Sequence, residues 1–214
     1  MKTALVAGAT GLIGSQLLEL LLLDDRYEKV TAVSRQPIRS SNSKFQNLVA
    51  DLDTLGQFTE AFAVDDVFCC LGTTMRRAKT KEAFRCVDYD YPVALAKFSK
   101  DRGARQFLLV SALGANKNSS IFYNRVKGET EGAIEAAGFE SCHILRPSLL
   151  LGRRTEHRAG EDAAKWFYNE LGFLIPGKYK AIESIKVARA MLELARQEKK
   201  GSFIHESYEL QNFQ

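Results

Sequence analysis

The chain has 214 residues, 45% of them hydrophobic and 26% charged, with a net charge of +4, which suits one globular domain with a sizeable core. Basic residues are scattered rather than gathered in a stripe, which argues against a nucleic-acid partner, and the leucine run at 17–23, broken by Glu19, is too short to span a membrane. Cysteines at 69, 70, 86 and 142 match neither a zinc spacing nor a disulfide framework and suit a reducing cytoplasm, and Met1-Lys2 runs straight into an apolar segment, so no signal peptide is expected.

The stretch Lys2–Ala7 reads as an apolar strand that enters glycines at 8, 11 and 14, and Ser15–Leu23 reads as a buried helix. Strand, glycine turn and helix in that order form a seat for a pyrophosphate. Gly8 lets the chain turn, Gly11 lets backbone approach the ligand, and Gly14 lets helix and strand pack closely. The first helical N–H groups, around Thr10, Gly11, Leu12 and Ile13, then face the phosphates. A lone glycine pattern is weak; its position between strand and helix makes it strong.

Further strands are expected at Lys29–Ser34, Gln46–Ala50, Asp65–Leu71, Arg105–Ser111 and Ser141–Arg146. Helices are expected at about Val87–Arg102, opening near Pro92, and at about Ser120–Ala137. The strands are apolar without clean alternation, as when helices cover both faces of a sheet. The fold class is therefore α/β, a doubly wound parallel sheet in one domain. Beyond Pro147 the pattern loosens. Helices are expected at Glu161–Leu171 and Ser184–Lys200, the latter with Val187, Met191, Leu194 and Ala195 on one face and Gly201 ending it. Residues from about 148 to 214 read as a small cap over the carboxyl ends of the strands.

An NAD site wants a carboxylate about twenty residues after the glycine turn. This chain has Ser34 and Arg35 there instead, with Arg39 nearby. A hydroxyl and a guanidinium suit a 2′-phosphate, which points to NADP(H); such a contact contributes about 1.5–3 kcal/mol. The competing reading of Arg35 is a solvated loop residue. Asp51, with Leu52 beside it, is placed to meet the adenine edge or to serve as an ordinary turn carboxylate. Leu71, Gly72 and Thr73 end the fourth strand at the same level.

Tyr123 and Lys127 stand four apart, on one face of the helix after the fifth strand. An ammonium beside a phenol favours the phenolate; at about 4 Å and an effective dielectric near 20 the attraction is about 4 kcal/mol before solvent losses. A tyrosine so tuned can exchange a proton with a carbonyl or hydroxyl while a nicotinamide exchanges hydride. Ser111, at the end of the fifth strand, is placed to hold the substrate oxygen. The pair alone means little; its placement carries the argument.

These pieces, with Leu145-Arg146-Pro147-Ser148, resemble the short-chain dehydrogenase/reductase superfamily in its atypical or extended branch. The stretches Cys69–Thr74, Asn124–Glu131 and Arg146–Gly152 look closest to the Tat-interacting oxidoreductase-like subgroup, and the likeness covers almost the whole chain. It implies a Rossmann fold, NADP(H), Ser111, Tyr123 and Lys127 as catalytic positions, and Pro147 among the cofactor contacts. Many members place an asparagine in the helix after the fourth strand to anchor a relay water; Cys86-Val87-Asp88 offers Asp88 there, whose charge would alter the relay.

His143 reads as a satisfied core residue, His157 as a loop residue that could border the substrate mouth, and His205 as part of a late strand without an evident partner. Arg76 and Arg77 are placed equally well for phosphate, substrate or surface, and Trp166, Phe167 and Tyr168 read as cap packing. The first expectation is a cytoplasmic NADP(H)-dependent oxidoreductase acting on a small carbonyl or alcohol, a monomer or homodimer with no nucleic-acid or membrane partner. The rivals are an NADPH-binding sensor with little turnover and, less favoured, a nucleotide-sugar epimerase, which generally needs a larger carboxyl-terminal region than the roughly 65 residues after Pro147 provide.

Overall fold

The computed structural model describes residues 1–152 and 180–213. Its strands are β1 (Lys2–Ala7), β2 (Tyr27–Ser34), β3 (Phe45–Val49), β4 (Asp66–Cys69), β5 (Gln106–Val110), β6 (Ser141–Arg146), β7 (Leu150–Leu151), β8 (Ile182–Glu183) and β9 (Gly201–Glu206). The helices among these residues are α1 (Leu12–Leu23), α2 (Leu52–Leu55), α3 (Met75–Ala78), α4 (Lys81–Arg85), α5 (Tyr91–Asp101) and α6 (Phe122–Ala136). Two more, α7 (Ser184–Gln197) and α8 (Ser207–Leu210), flank β9. The main sheet is parallel throughout, in the order β3-β2-β1-β4-β5-β6-β9, and β7 pairs with β8 separately.

Successive strand residues feed two cores. Ala4, Val6, Phe68 and Leu108 face Leu17 and Leu21 of α1 and Val187 and Met191 of α7. Leu5, Ala7, Val67 and Phe107 face Leu95 of α5 and Ile134 of α6. Both strand faces are therefore apolar, which explains the missing alternation. Each fully buried leucine contributes about 1.5–3 kcal/mol.

The tail departs from the expected cap. Helix α7 buries the expected face, but against α1, and β9 adds a seventh strand beside β6. Residues 184–206 thus belong to the main layers, because α7 must cover an apolar stripe of α1 that would otherwise meet water. Helix α7 also stops at Gln197 rather than Lys200: Glu198 is left-handed, at φ 49°, and Gly201 opens the next strand. The expected helix at Glu161–Leu171, with Trp166, Phe167, Tyr168 and His157, lies outside the described residues.

The helix expected from Val87 begins earlier, at Lys81, where Thr80 Oγ1 accepts the Ala83 N–H at 3.0 Å. It widens to one π-helical turn over Cys86–Asp90, closed by Tyr91 N–H to the Cys86 carbonyl. Pro92 has no N–H to return to the Asp88 carbonyl, and Thr130 Oγ1 of α6 donates to that carbonyl at 2.7 Å instead.

At the outer edge, His143 of β6 is 1% exposed and shares a 2.9 Å hydrogen bond between its Nδ1 and Nε2 of His205 on β9. Its Nε2 meets Ser141 Oγ at 3.1 Å, and Phe203 stacks on the ring. His205 therefore has a partner that its position in the chain does not announce. Burial, with help from His205 and Lys199, holds the His143 imidazole down to about 4. The unfolded chain takes up that proton near 6.5, so stability is lost as pH falls from 6.5 toward 4. Melting temperature measured across that window should fall, and His143→Gln should flatten the fall.

Candidate active site

Gly8 turns the chain at φ +82°, and a Cβ there would lie 2.6 Å from the Cys70 carbonyl oxygen. A Cβ on Gly14 would lie 2.2 Å from the Gly8 carbonyl oxygen. The first turn of α1 therefore sits against the turn that precedes it, as the spacing requires. Gly11 is the N-cap residue of α1, and no side chain caps the helix. The N–H groups at the start of α1, with Leu12, Ile13 and Gly14, are left to an anion. This glycine cradle and uncapped helix end fit the pyrophosphate of a dinucleotide.

A cleft of about 420 Å³ runs from this turn along the carboxyl ends of β1, β2 and β4. Gly8, Thr10 and Gly11 line it, with Ser34 and Arg35 on one wall and Leu71, Gly72 and Thr73 on another. Arg77 of α3 also lines it, as does Tyr91, whose hydroxyl accepts the Leu52 N–H. Arg35 is exposed on the wall. Ser34 is less free than expected: its Oγ donates to the Gln36 carbonyl at 2.7 Å and accepts from Asn47 Nδ2 at 2.9 Å. Asp51 caps α2, where Oδ1 accepts the Thr54 N–H at 3.0 Å. Of its two readings the turn carboxylate is the one the structure displays. Arg39, Asp51, Leu52, Arg76 and Pro147 stand outside the lining, as do Leu12, Ile13 and Gly14 behind the turn and Ser111, Tyr123 and Lys127.

Lys127 and Tyr123 share one face of α6, and the Lys127 ammonium is buried against Asp88, with Nζ 2.8 Å from Oδ1. Asp88 Oδ2 accepts the Thr73 N–H, also at 2.8 Å. Asp88 thus takes the lysine directly instead of holding a water for it. The Tyr123 ring packs 5.5 Å from Phe84. Its phenol titrates above the ordinary tyrosine value, because burial outweighs the help from Lys127 and Asp88 adds to burial. Lys127 favours the phenolate as expected, and burial outweighs it. Burial disfavours the Lys127 ammonium, yet Asp88 and Tyr123 more than compensate, and it titrates above an ordinary lysine.

Ser111 is also differently engaged. Its Oγ donates to Glu131 Oε1 of α6. Glu131 is held by Arg146 through Nε to Oε1 at 3.0 Å and Nη2 to Oε2 at 2.6 Å, and Arg146 Nη1 reaches Glu206 of β9 at 3.0 Å. The single hydroxyl proton of Ser111 is committed, so Ser111 meets a substrate oxygen as an acceptor only. Glu131 and Tyr91 escaped the sequence reading. No spacing rule links Ser111 to Glu131, and no motif marks Tyr91.

A parallel doubly wound sheet with a glycine cradle before its first crossover helix defines a Rossmann-type dinucleotide-binding domain. The family model described as NAD(P)H-binding matches residues 8–198, and the chain belongs to this family. It is 37% identical over 195 residues to protein HTATIP2 of Rattus norvegicus, across 89% of this chain and 80% of that one. It is 36% identical over 202 residues to protein FMP52, mitochondrial, of Debaryomyces hansenii, across 90% and 87%. Among solved structures, MoeE5 in complex with UDP-glucose and NAD shares the fold at a TM-score of 0.73 and 18% identity, over 94% of this chain and 74% of that one. No helix among the described residues is long and apolar enough to cross a membrane.

The cradle tolerates no side chain at position 14. Gly14→Ala should destabilise the protein by about 1–3 kcal/mol and abolish the rise in melting temperature on adding NAD(P)H, both read by thermal denaturation.

Proposed function

We propose that the protein is an NADP(H)-dependent oxidoreductase of the short-chain type, acting on a small carbonyl or alcohol. One observation carries the reading: the buried Lys127–Asp88 pair stands at the wall of the dinucleotide cleft. An atom added to Gly72, which lines that cleft, would lie 3.6 Å from both Lys127 Nζ and Asp88 Oδ1. The cleft's own residues would hold the cofactor, with the pyrophosphate on the Gly8–Gly14 turn and the 2′-phosphate beside Arg35.

A bound nicotinamide supplies or accepts the hydride. Tyr123 holds the proton exchanged with the substrate oxygen, and Lys127 stabilises the phenolate formed when that proton leaves. Ser111, its proton given to Glu131, accepts a hydrogen bond from a product hydroxyl. The four cysteines are free, which suits a reducing compartment, and we place the protein in the cytoplasm.

A second reading, a cofactor-bound sensor with little turnover, draws on the same site. Lys127 and Ser111 are already partnered, and Tyr123 is a weaker acid than an ordinary tyrosine. The epimerase reading draws only on neighbours that share the fold at under 25% identity.

Saturating NADPH, at about a hundred times its dissociation constant, should add about 2.7 kcal/mol of stability. Arg35→Ala should weaken NADPH binding about ten- to a hundredfold and leave NADH binding unchanged; equal losses for both cofactors would remove the 2′-phosphate role. In a panel of carbonyls and alcohols followed by nicotinamide absorbance, Tyr123→Phe should slow turnover about 10²–10⁴-fold. Ser111→Ala should slow it about tenfold or less, the share of one neutral hydrogen bond. A panel with no turnover at all would favour the sensor.

A further inference from the structure

Lys127 is 5% exposed and Asp88 1% exposed, so two full charges sit together out of water. Such a pair needs hydrogen bonds that fix its geometry, and Asp88 has them on two sides. Its carboxylate accepts the Thr73 N–H, and its own carbonyl, deprived of a helical donor by Pro92, accepts the Thr130 hydroxyl. The π-helical turn is thus pinned to the β4 end and to α6 at once, and the carboxylate is held against the lysine.

The titratable groups that face Lys127 are Asp88 from the π-helical turn, Tyr123 from α6 itself and Cys69 from the end of β4. Burial pushes the Cys69 thiol up to about 11, so it is neutral at neutral pH. Among these groups Asp88 supplies the counter-charge. An unpaired ammonium beside Tyr123 would favour the phenolate more strongly; a carboxylate 2.8 Å from that ammonium opposes it at the phenol, leaving Lys127 the larger of the two charges. Burial outweighs that balance and favours the neutral phenol.

We propose that Asp88 is a positioning residue: by holding the Lys127 ammonium in direct contact, it offsets the pull of that ammonium on the Tyr123 proton and so tunes how readily Tyr123 exchanges it. That exchange rests on the oxidoreductase reading above. In the direction of reduction, Tyr123 passes one proton from Oη to the substrate oxygen and regains one from solvent, while the hydride comes from a reduced nicotinamide.

The test titrates tyrosinate absorbance in the unchanged protein, Asp88→Asn, Lys127→Gln and the double variant, each corrected with the same background carrying Tyr123→Phe. Asp88→Asn should lower the Tyr123 midpoint by about 1–2 pH units, Lys127→Gln should raise it, and the double variant should return it near the starting value. A purely structural role for Asp88 would not move this midpoint in opposite directions. An unmoved midpoint in Asp88→Asn overturns the proposal. Should Asp88→Asn fail to fold, Lys127→Gln against the double variant decides: a lower midpoint in the double variant supports the proposal and equal midpoints overturn it. The titration needs neither cofactor nor substrate. An inactive carbonyl panel alongside the expected titration would therefore remove the oxidoreductase reading and leave the hold of Asp88 on Lys127 standing.

Discussion

A buried lysine ammonium cannot persist without a counter-charge, and meeting that demand at Lys127 organises the carboxyl end of the sheet. The cost of removing an ion from water is several kcal/mol even after relaxation. A partner must therefore come from another element and be held there. Asp88 reaches Lys127 from a helix whose regular winding is interrupted at that turn. Pro92 leaves the Asp88 carbonyl without a helical donor, and Thr130, one turn beyond Lys127 on α6, takes its place. The loop after β4 is tied in through Thr73. Helix α5, helix α6 and the end of β4 are joined by one buried charge pair.

The opposite end of the strands has its own buried carboxylate. Asp66 accepts the Tyr27 hydroxyl at 2.6 Å and Gln106 Nε2 at 2.9 Å, and Lys2 lies 3.3 Å away. Gln106 also donates to the Ala195 carbonyl of α7 at 3.1 Å. This cluster links β1, β2, β4 and β5, and none of its residues lines the cleft. Polar groups thus concentrate at the two ends of an apolar sheet. One end is tied by hydrogen bonds among its own members, with Gln106 Oε1 left without a donor, and the other borders a cleft that a cofactor can enter.

How much of this was legible in the sequence depended on how local the cause was. The cradle was legible because it needs one residue type at three fixed positions in a single turn. The strands were legible because both of their faces are apolar, and the α7 face because its apolar residues recur at helical spacing. The Asp51-x-x-Thr54 capping box was equally local and could have been read. What escaped was non-local. A late strand around His205 was legible, but not that Gly201–Glu206 pairs with β6 as the seventh strand of the main sheet. Ser111 looked free because its partner Glu131 lies on another element. Tyr123 looked tuned toward the phenolate because Lys127 was visible four residues away, whereas Asp88 opposes that lysine only once the chain has folded.

The packing of α7 on α1 also has a consequence for the order in which the protein is made. Helix α1 carries the phosphate-facing turn and leaves the ribosome early, but its cover begins only at Ser184. At typical synthesis rates that interval is on the order of ten seconds or more. Throughout it, Leu17 and Leu21 lack α7, one of the surfaces they are buried against in the finished molecule. The nascent chain thus presents an apolar face of α1 without α7 until that helix is made. The cofactor seat is complete in sequence well before the helix that packs behind it.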